Sequence, residues 1–396
     1  MTTETTSVLD GVRVLDLGGI GPGPFASMML ADLGAEVIRL DPPAGTGTPM
    51  NPVLDRGKKS VTADLKSAEG IALARAIAAR SDIVIEGFRP GTTERLGLGP
   101  ADLHALNPAL VYGRITGYGQ AGPKAQKAGH DLGYIASTGL LAQLGRAGGP
   151  PQFPANLLGD FGGGGMLLVV GVLAAVTGAR ETGTGTVVDA AMVDGANLLY
   201  AMMHGFAAMG LWHHDAPGRN LLDSGAPFYD VYPTADDRYV SVAAIEAPFF
   251  AEFVRTLGLA DALPEPLGTL DHWQPQHWPA LRALITPAIA ARTQAELVEL
   301  FAGRDACVEP VLSMAEAKTD PHNTARGLFT TDADGIGQPT PAPRFAPARG
   351  FVPATGESSG GMGTPRPPRR APLIGDDTAA VIAELGLDQT AEPDNG

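Results

Sequence analysis

One cysteine, Cys307, occurs in 396 residues. That excludes an intramolecular disulfide and any cysteine-based metal cluster. Nothing around Cys307 gives it a reactive setting, so it reads as a small packed hydrophobe. Positive charge is also scarce. Against 43 acidic residues stand 28 basic ones, a net charge of −15, which argues against nucleic acid or an anionic membrane as the main partner. Long apolar runs are nearly missing. Phe161 to Ala179 carries no charge and is long enough to test as a membrane span. Its four consecutive glycines, and the lack of a second such run, favour a buried helix and no membrane. The opening Met-Thr-Thr-Glu-Thr-Thr has no basic region followed by an apolar stretch, so no signal peptide is read. The closing Pro-Asp-Asn-Gly is not a peroxisomal address. A cytoplasmic location is the default expectation. His213-His214-Asp215 has no third ligand at a recognisable spacing, so no metal is expected. What remains is an ordinary soluble composition, 44% hydrophobic with mean hydropathy +0.05. The length suits two domains, or one large one.

The order of elements predicts an α/β fold. Val12 to Leu17 reads as a buried strand, Pro24 to Leu33 as a helix and Glu36 to Leu40 as a second strand. Leu73 to Ala79 (helix), Ile83 to Glu86 (strand), Leu110 to Thr116 (strand), Phe161 to Thr177 (helix) and Thr186 to Ala191 (strand) continue the alternation. Such a series implies a mainly parallel sheet with helices on its faces. Val193 to Met209 reads as one long, mostly apolar helix. The character changes near Gly218, which divides a large domain, 1–217, from a smaller α+β domain, 218–334. In the latter, Phe228 to Val231 and Tyr239 to Ala244 suggest a hairpin around Thr234 to Arg238. Phe249 to Leu257, Trp278 to Ile285 and Gln294 to Phe301 suggest amphipathic helices. Residues 335–396 read as a Pro-rich return linker over Gly335 to Arg349, a flexible loop over Ser358 to Ala371, and a short helix over Ala379 to Leu387.

Several segments carry candidate chemistry. Gly19-Ile-Gly21-Pro-Gly23-Pro-Phe-Ala26 lies where a strand meets a helix, with Asp41 ending the next strand. It matches a loose dinucleotide pattern, but its prolines remove N–H donors that a pyrophosphate would use. A tight turn beside some other nucleotide fits better. Arg39, Arg56-Gly-Lys-Lys-Ser60, Lys66, Arg89 and Arg95 gather cations near strand ends and helix starts, where phosphates suit them. A solvated basic face is the plain alternative. His130 in Gly129-His-Asp131 and Asp160 in Gly159-Asp-Phe-Gly162 place two different bases in Gly-flanked segments. A structural turn histidine and a helix N-cap are the competing readings. Glu246 leaves a strand and would also serve as a helix-start carboxylate.

Taken together these segments resemble the class III CoA-transferase superfamily, and within it the α-methylacyl-CoA racemases. The resemblance rests on Gly19 to Ala26, Ala31-Asp-Leu-Gly-Ala-Glu-Val-Ile-Arg39, Arg56 to Ser60 and Ala63-Asp-Leu-Lys66. It continues through Gly87-Phe-Arg-Pro-Gly91, Glu94-Arg-Leu-Gly97, Thr116-Gly-Tyr-Gly-Gln120, Gly129-His-Asp131 and Asp305-Ala-Cys-Val-Glu-Pro-Val311. It implies a Rossmann-like large domain that binds CoA and is completed by the C-terminal segment. It also implies a small domain and a homodimer of interlocked rings, with each active site shared between chains. By the same resemblance the CoA contacts fall on Arg39, Ala63, Asp64, Leu65, Lys66, Gly87, Phe88, Arg89, Arg95, Gly129, Asp131 and Tyr134. Relatives often carry Arg after the Asp that follows Arg39; here Asp41 leads to Pro42-Pro43.

The resemblance also names His130, Asp160 and Glu246 as the racemase set. In the transferases the carboxylate matching Asp160 forms acyl anhydrides, and the position of His130 is usually not histidine. A histidine there is a natural general base. The implied reaction is 1,1-proton transfer on a 2-methylacyl-CoA thioester, with Glu246 orienting the imidazole. Backbone N–H groups near Asp131 would hold the enolate oxygen. No metal or redox cofactor is implied, because CoA is part of the substrate. Met202, Met203 and Met209 would offer an adaptable acyl surface, although helical spacing alone reads as plain core.

Overall fold

The computed structural model of the chain describes residues 7–43, 50–345 and 369–387. It divides into two compact units: the described residues of 1–138, 155–199 and 318–396 form the first, and those of 139–154 and 200–317 the second.

The first unit is built on six parallel strands: β1 Arg13–Asp16, β2 Glu36–Asp41, β3 Lys59–Thr62, β4 Ile83–Glu86, β5 Val111–Thr116 and β6 Val187–Ala191. Their order is β3-β2-β1-β4-β5-β6. This is the doubly wound Rossmann order, in which the connections reverse direction between β1 and β4. Strands covered on both faces need apolar residues at successive positions, not alternate ones. Val14 and Leu15 are both fully buried, one in each of the two cores that flank the sheet. On one face pack the helices Pro22–Asp32 and Leu167–Thr182; on the other, Ala68–Ala78 and the closing helix Thr378–Leu385.

The apolar run becomes a single helical column, Leu157–Thr182, long and apolar enough by composition to cross a membrane. Its first part, Leu157–Met166, is wound as a π-helix; Leu167–Thr182 is α-helical. Leu168, Val169, Val172, Val176 and Ala179 enter the core, whereas Met166 and Val170 are 50% and 64% exposed. The helix is therefore buried along one face only. The glycines serve close approach: a Cβ on Gly163 would sit 2.5 Å from the Ala196 nitrogen, in helix Met192–Leu199.

The second unit carries β7 Tyr229–Pro233, β8 Tyr239–Ala243 and β9 Val308–Pro310 in an antiparallel sheet. Helices Ala247–Thr256, Trp278–Ala290 and Gln294–Phe301 contribute Phe250, Phe253, Leu281, Ile285 and Leu297 to one core with Val240 and Val242. The hairpin turn is where the sequence put it, with the Thr234 N–H bonded to the Arg238 carbonyl. β9 has no counterpart among the expected strands; three residues ending in proline are too short to show an alternation.

Two boundaries differ from the sequence reading. The expected helix Val193 to Met209 is two helices, Met192–Leu199 and Ala201–Ala208, and the division of units falls at their junction, not at Gly218. Apolar periodicity runs through both helices and hides the break. The turn residues near Gly218 instead build a loop inside the second unit, where Asp223 accepts N–H bonds from Gly218 and Asn220. The chain returns to the first unit at Lys318 rather than at 335. A hairpin of β10 Phe329–Thr331 and β11 Gly337–Pro339 is held there by Arg56, which donates to Gln338 Oε1 at 2.8 Å and to the Pro339 carbonyl at 2.7 Å. The C-terminal stretch then satisfies the outer edge of β3: Ser60 N–H donates to Asp377 Oδ2 and Thr62 N–H to Thr378 Oγ1. The linker expected over Gly335 to Arg349 and the loop expected over Ser358 to Ala371 lie partly outside the described residues.

Candidate active site

The carboxyl ends of β1, β4 and β5 frame a cavity of about 740 Å³ in the first unit. Gly21 to Pro24 enter from the turn after β1, Gly87 to Pro90 from the turn after β4, and Thr116 to Tyr118 from the end of β5. This is the crevice beside the switch point, where parallel strands end and backbone groups are free to meet a ligand. His130 and Asp160 both line it.

His130 is the extended residue that precedes helix Asp131–Ser137. Its carbonyl accepts the N–H groups of Gly133 and Tyr134, which fixes the backbone and leaves the ring to the cavity. Asp160 sits in the first turn of the π-helix, where its charge meets the positive helix end. Asn156 Nδ2 donates to Asp160 Oδ2 at 3.0 Å. Burial, the largest influence, holds the Asp160 carboxyl above the ordinary carboxylate range. The Asn156 donor and His130 oppose the rise, and the charge of Asp131 adds to it. The turn after β1 comes close enough that a Cβ on Gly21 would lie 3.6 Å from Asp160 Oδ2.

Tyr134 supports this arrangement. Its hydroxyl donates to the Gly129 carbonyl, and its ring meets Tyr118 edge-on at 5.0 Å. Burial pushes its phenol up to about 12. A Cβ on Gly117 would fall 2.0 Å from that ring, so the strand end must be glycine for the ring to lie there.

A second cavity of about 280 Å³ gathers Arg39, Ala63, Asp64, Leu65 and Lys66 around the ends of β2 and β3, and Phe88 lines both cavities. Lys66 and Arg89 are exposed. Arg39 is not free. It is 4% exposed, and its guanidinium lies 2.5 Å from Asp55 and 2.9 Å from Asp41. Lys58 is likewise buried between Asp16 at 3.3 Å and Asp55 at 3.0 Å, and Arg56 pairs with Asp32 at 2.5 Å. Burial works against the Asp55 anion, but Lys58 and Arg39 hold its carboxyl below the ordinary range. Much of the basic patch read from sequence is therefore an internal ion-pair network.

Of the sequence candidates, the structure brings Gly87, Phe88, Arg89, Gly129, His130, Tyr134 and Asp160 to the first cavity, and Arg39, Ala63 to Lys66 and Phe88 to the second. Arg95 lines neither; it donates to Thr92 Oγ1. Asp131 is 4% exposed and turns its carboxylate to the backbone. Glu246 belongs to the second unit, exposed at the start of helix Ala247–Thr256, with no capping bond from its side chain. The helix with Met202 and Met203 buries no residue, so the plain core reading does not hold; Met203 lines a separate cavity within the second unit. Among the described residues no cluster of three or more His, Cys, Asp or Glu side chains is arranged to hold a metal. Sequence reasoning missed Asn156. Its place just before the helix, four residues ahead of Asp160, was the available signal.

Residues 9–378 match CoA-transferase family III. The chain belongs to that family. It is 40% identical over 383 residues to an alpha-methylacyl-CoA racemase of Mus musculus, a match covering 96% of this chain and 94% of the mouse protein. With a succinyl-CoA–D-citramalate CoA-transferase of Chloroflexus aurantiacus it shares 33% identity over 371 residues, 89% of this chain and 91% of the relative. A CaiB/BaiF family protein from Brucella suis has a similar fold, with TM-score 0.75 and 26% identity, covering 96% of this chain and 100% of that one.

Proposed function

We propose that this family III protein interconverts (2R)- and (2S)-2-methylacyl-CoA thioesters by 1,1-proton transfer. The observation that carries the reading is that His130 and Asp160 line one cavity. The thioester carbonyl acidifies the α-carbon. One group removes that proton, leaving a planar enolate, and the other protonates the opposite face; the roles reverse for the other enantiomer. Asp160, with its proton affinity raised by burial, is better matched to an imidazole than an ordinary carboxylate would be. The N–H groups of Asp131 and Leu132 open a helix whose Gly133 and Tyr134 N–H groups already meet the His130 carbonyl. They are the donors for the enolate oxygen, a role worth about 3 kcal/mol per donor. The thioester supplies the electron sink, so neither metal nor redox cofactor is required.

The nucleotide part of CoA is assigned to the cavity of Ala63 to Lys66, with Arg89 and Lys66 as the free cations for its phosphates. The working unit is taken to be a homodimer in the cytoplasm, with Glu246 of one chain serving His130 of the other. Met166, Val170, Leu198 and Leu199 in the first unit are each half or more exposed, which suits burial against a second copy. One enantiomer of a 2-methylacyl-CoA incubated with the enzyme in D₂O should gain α-deuterium and invert. A second reading, CoA transfer through an Asp160 anhydride, is favoured if no exchange occurs across a panel of such thioesters and a free acid instead accepts CoA.

A further inference from the structure

We propose that Asp131 is a positioning residue: its carboxylate ties the His130 segment to the Asp160 segment, and its charge sets how evenly those two groups share one proton. The proposal rests on the racemase reading. Asp131 directly follows His130, and its Oδ1 accepts the N–H of Gly159 at 2.6 Å and the N–H of Asp160 at 2.7 Å. One side chain thus joins the backbone segments of both bases. The grip requires glycine at 159, since a Cβ there would lie 2.7 Å from Asp131 Oδ1. The residue is 4% exposed, and its Oδ2 is buried with no hydrogen-bond partner among the described residues. A half-satisfied buried carboxylate is costly for a clamp alone. An asparagine would accept the same two N–H bonds without the charge, so the charge calls for its own explanation.

The proton bookkeeping of the reaction supplies one. In each turnover one base takes the α-proton while the other gives its proton to the opposite face, so the resting pair holds one proton between two sites. Attack on one enantiomer needs the proton on Asp160, and attack on the other needs it on His130. An ordinary carboxyl and an ordinary imidazole differ by roughly 2.5 pH units, which would leave the two forms about 300 to 1. The groups acting on Asp160 are Asn156 and His130, which favour its anion, and Asp131, which disfavours it. Asp131 is the only charged one among these that raises the proton affinity of Asp160, in the same direction as burial, the largest influence. Tyr134, on the same helix as Asp131, has its hydroxyl engaged with Gly129 and stays neutral in the working range.

The test compares wild type, Asp131→Asn and Asp131→Ala for kcat, KM and the pH profile of kcat/KM, with α-proton exchange in D₂O as the activity measure. Asp131→Asn keeps the shape and the two acceptor contacts; its acid limb should move to lower pH by about one unit. Its kcat should fall roughly tenfold, with KM within about twofold. Asp131→Ala also loses the tie, and a displaced base should lower kcat about 100-fold. If the Ala variant does not fold, Gly159→Ala replaces it: it crowds Oδ1 while keeping the charge, and should lower kcat without moving the acid limb. A wild type that neither exchanges nor inverts overturns the racemase reading and this proposal with it. A wild type that does both, with an Asp131→Asn variant of unchanged acid limb and kcat, overturns only the role of Asp131.

Discussion

Asn156→Ala should move the acid limb of the kcat/KM profile in the direction opposite to Asp131→Asn. The only side-chain donor on Asp160 Oδ2 in the described site is Asn156 Nδ2, at 3.0 Å. A hydrogen bond to a charged group is worth about 1.5–3 kcal/mol net. Because this pair is only partly buried, solvent reduces that to about 1 kcal/mol. At 1.36 kcal/mol per unit, the loss raises the Asp160 proton affinity by roughly 0.7 pH unit. The sign follows from which form loses support. Asn156 stabilises the anion, so removing it favours the neutral acid, and the doubly protonated, inactive pair persists to higher pH. Full profiles of α-deuterium exchange, collected for both enantiomers, measure the limb directly. A limb that stays fixed, or moves to lower pH, would refute the assignment of Asn156 as the partner of the Asp160 anion.

Arg39→Ala and Arg89→Ala should separate stability from binding. Arg39→Ala takes the paired cation from Asp41, which is 1% exposed, and leaves Asp55 with Lys58 alone; it should cost about 3–5 kcal/mol in denaturant unfolding. Arg89→Ala should leave unfolding unchanged and raise KM, more so at low salt than at high. Asp160→Asn should abolish exchange yet raise the thermal midpoint at pH 7 by about 1–2 °C. Its carboxyl is raised in the folded state, so its favourable contribution is present below the unfolded value, is lost as pH rises through the folded one, and the difference between the proteins should vanish in acid. Co-expressed, differently tagged Asp160→Ala and Glu246→Ala chains should form mixed dimers that regain one working site in two; mixed dimers no more active than either parent would refute the sharing of Glu246 between chains.

The parallel sheet was readable because burial on both faces leaves a plain mark. Val12 to Leu17, Ile83 to Glu86 and Leu110 to Thr116 are short apolar blocks, each followed by glycine or a turn, and they became β1, β4 and β5. β3 was not readable. Lys59 and Ser60 are polar, and Ser60 is buried only because Asp41, Asp377 and Gly375 meet its hydroxyl and backbone. Two of those partners, Gly375 and Asp377, lie more than 300 residues away and leave no local pattern. The junction at Tyr200 was hidden for the opposite reason: apolar residues continue across it while the helices separate.

The candidate site shows the same limit in its charges. Gly-flanking and the family resemblance singled out His130 and Asp160, and both line one cavity. A cation's partners are not legible in that way. Arg39 reads like Arg89 in sequence, each at the end of a strand, yet Arg39 lies among Asp41, Asp55 and Lys58 while Arg89 is exposed at the cavity. The distinction depends on Asp55, which approaches only when the chain folds back beside β2. Asp131 is the converse case. In sequence it is one more residue of a ligand-binding segment; in the fold it is buried beneath Gly159 and Asp160, accepting both of their N–H groups. Residue type and position found the groups that face the cavity, and only the paired backbone shows which acid faces away from it and holds the other in place.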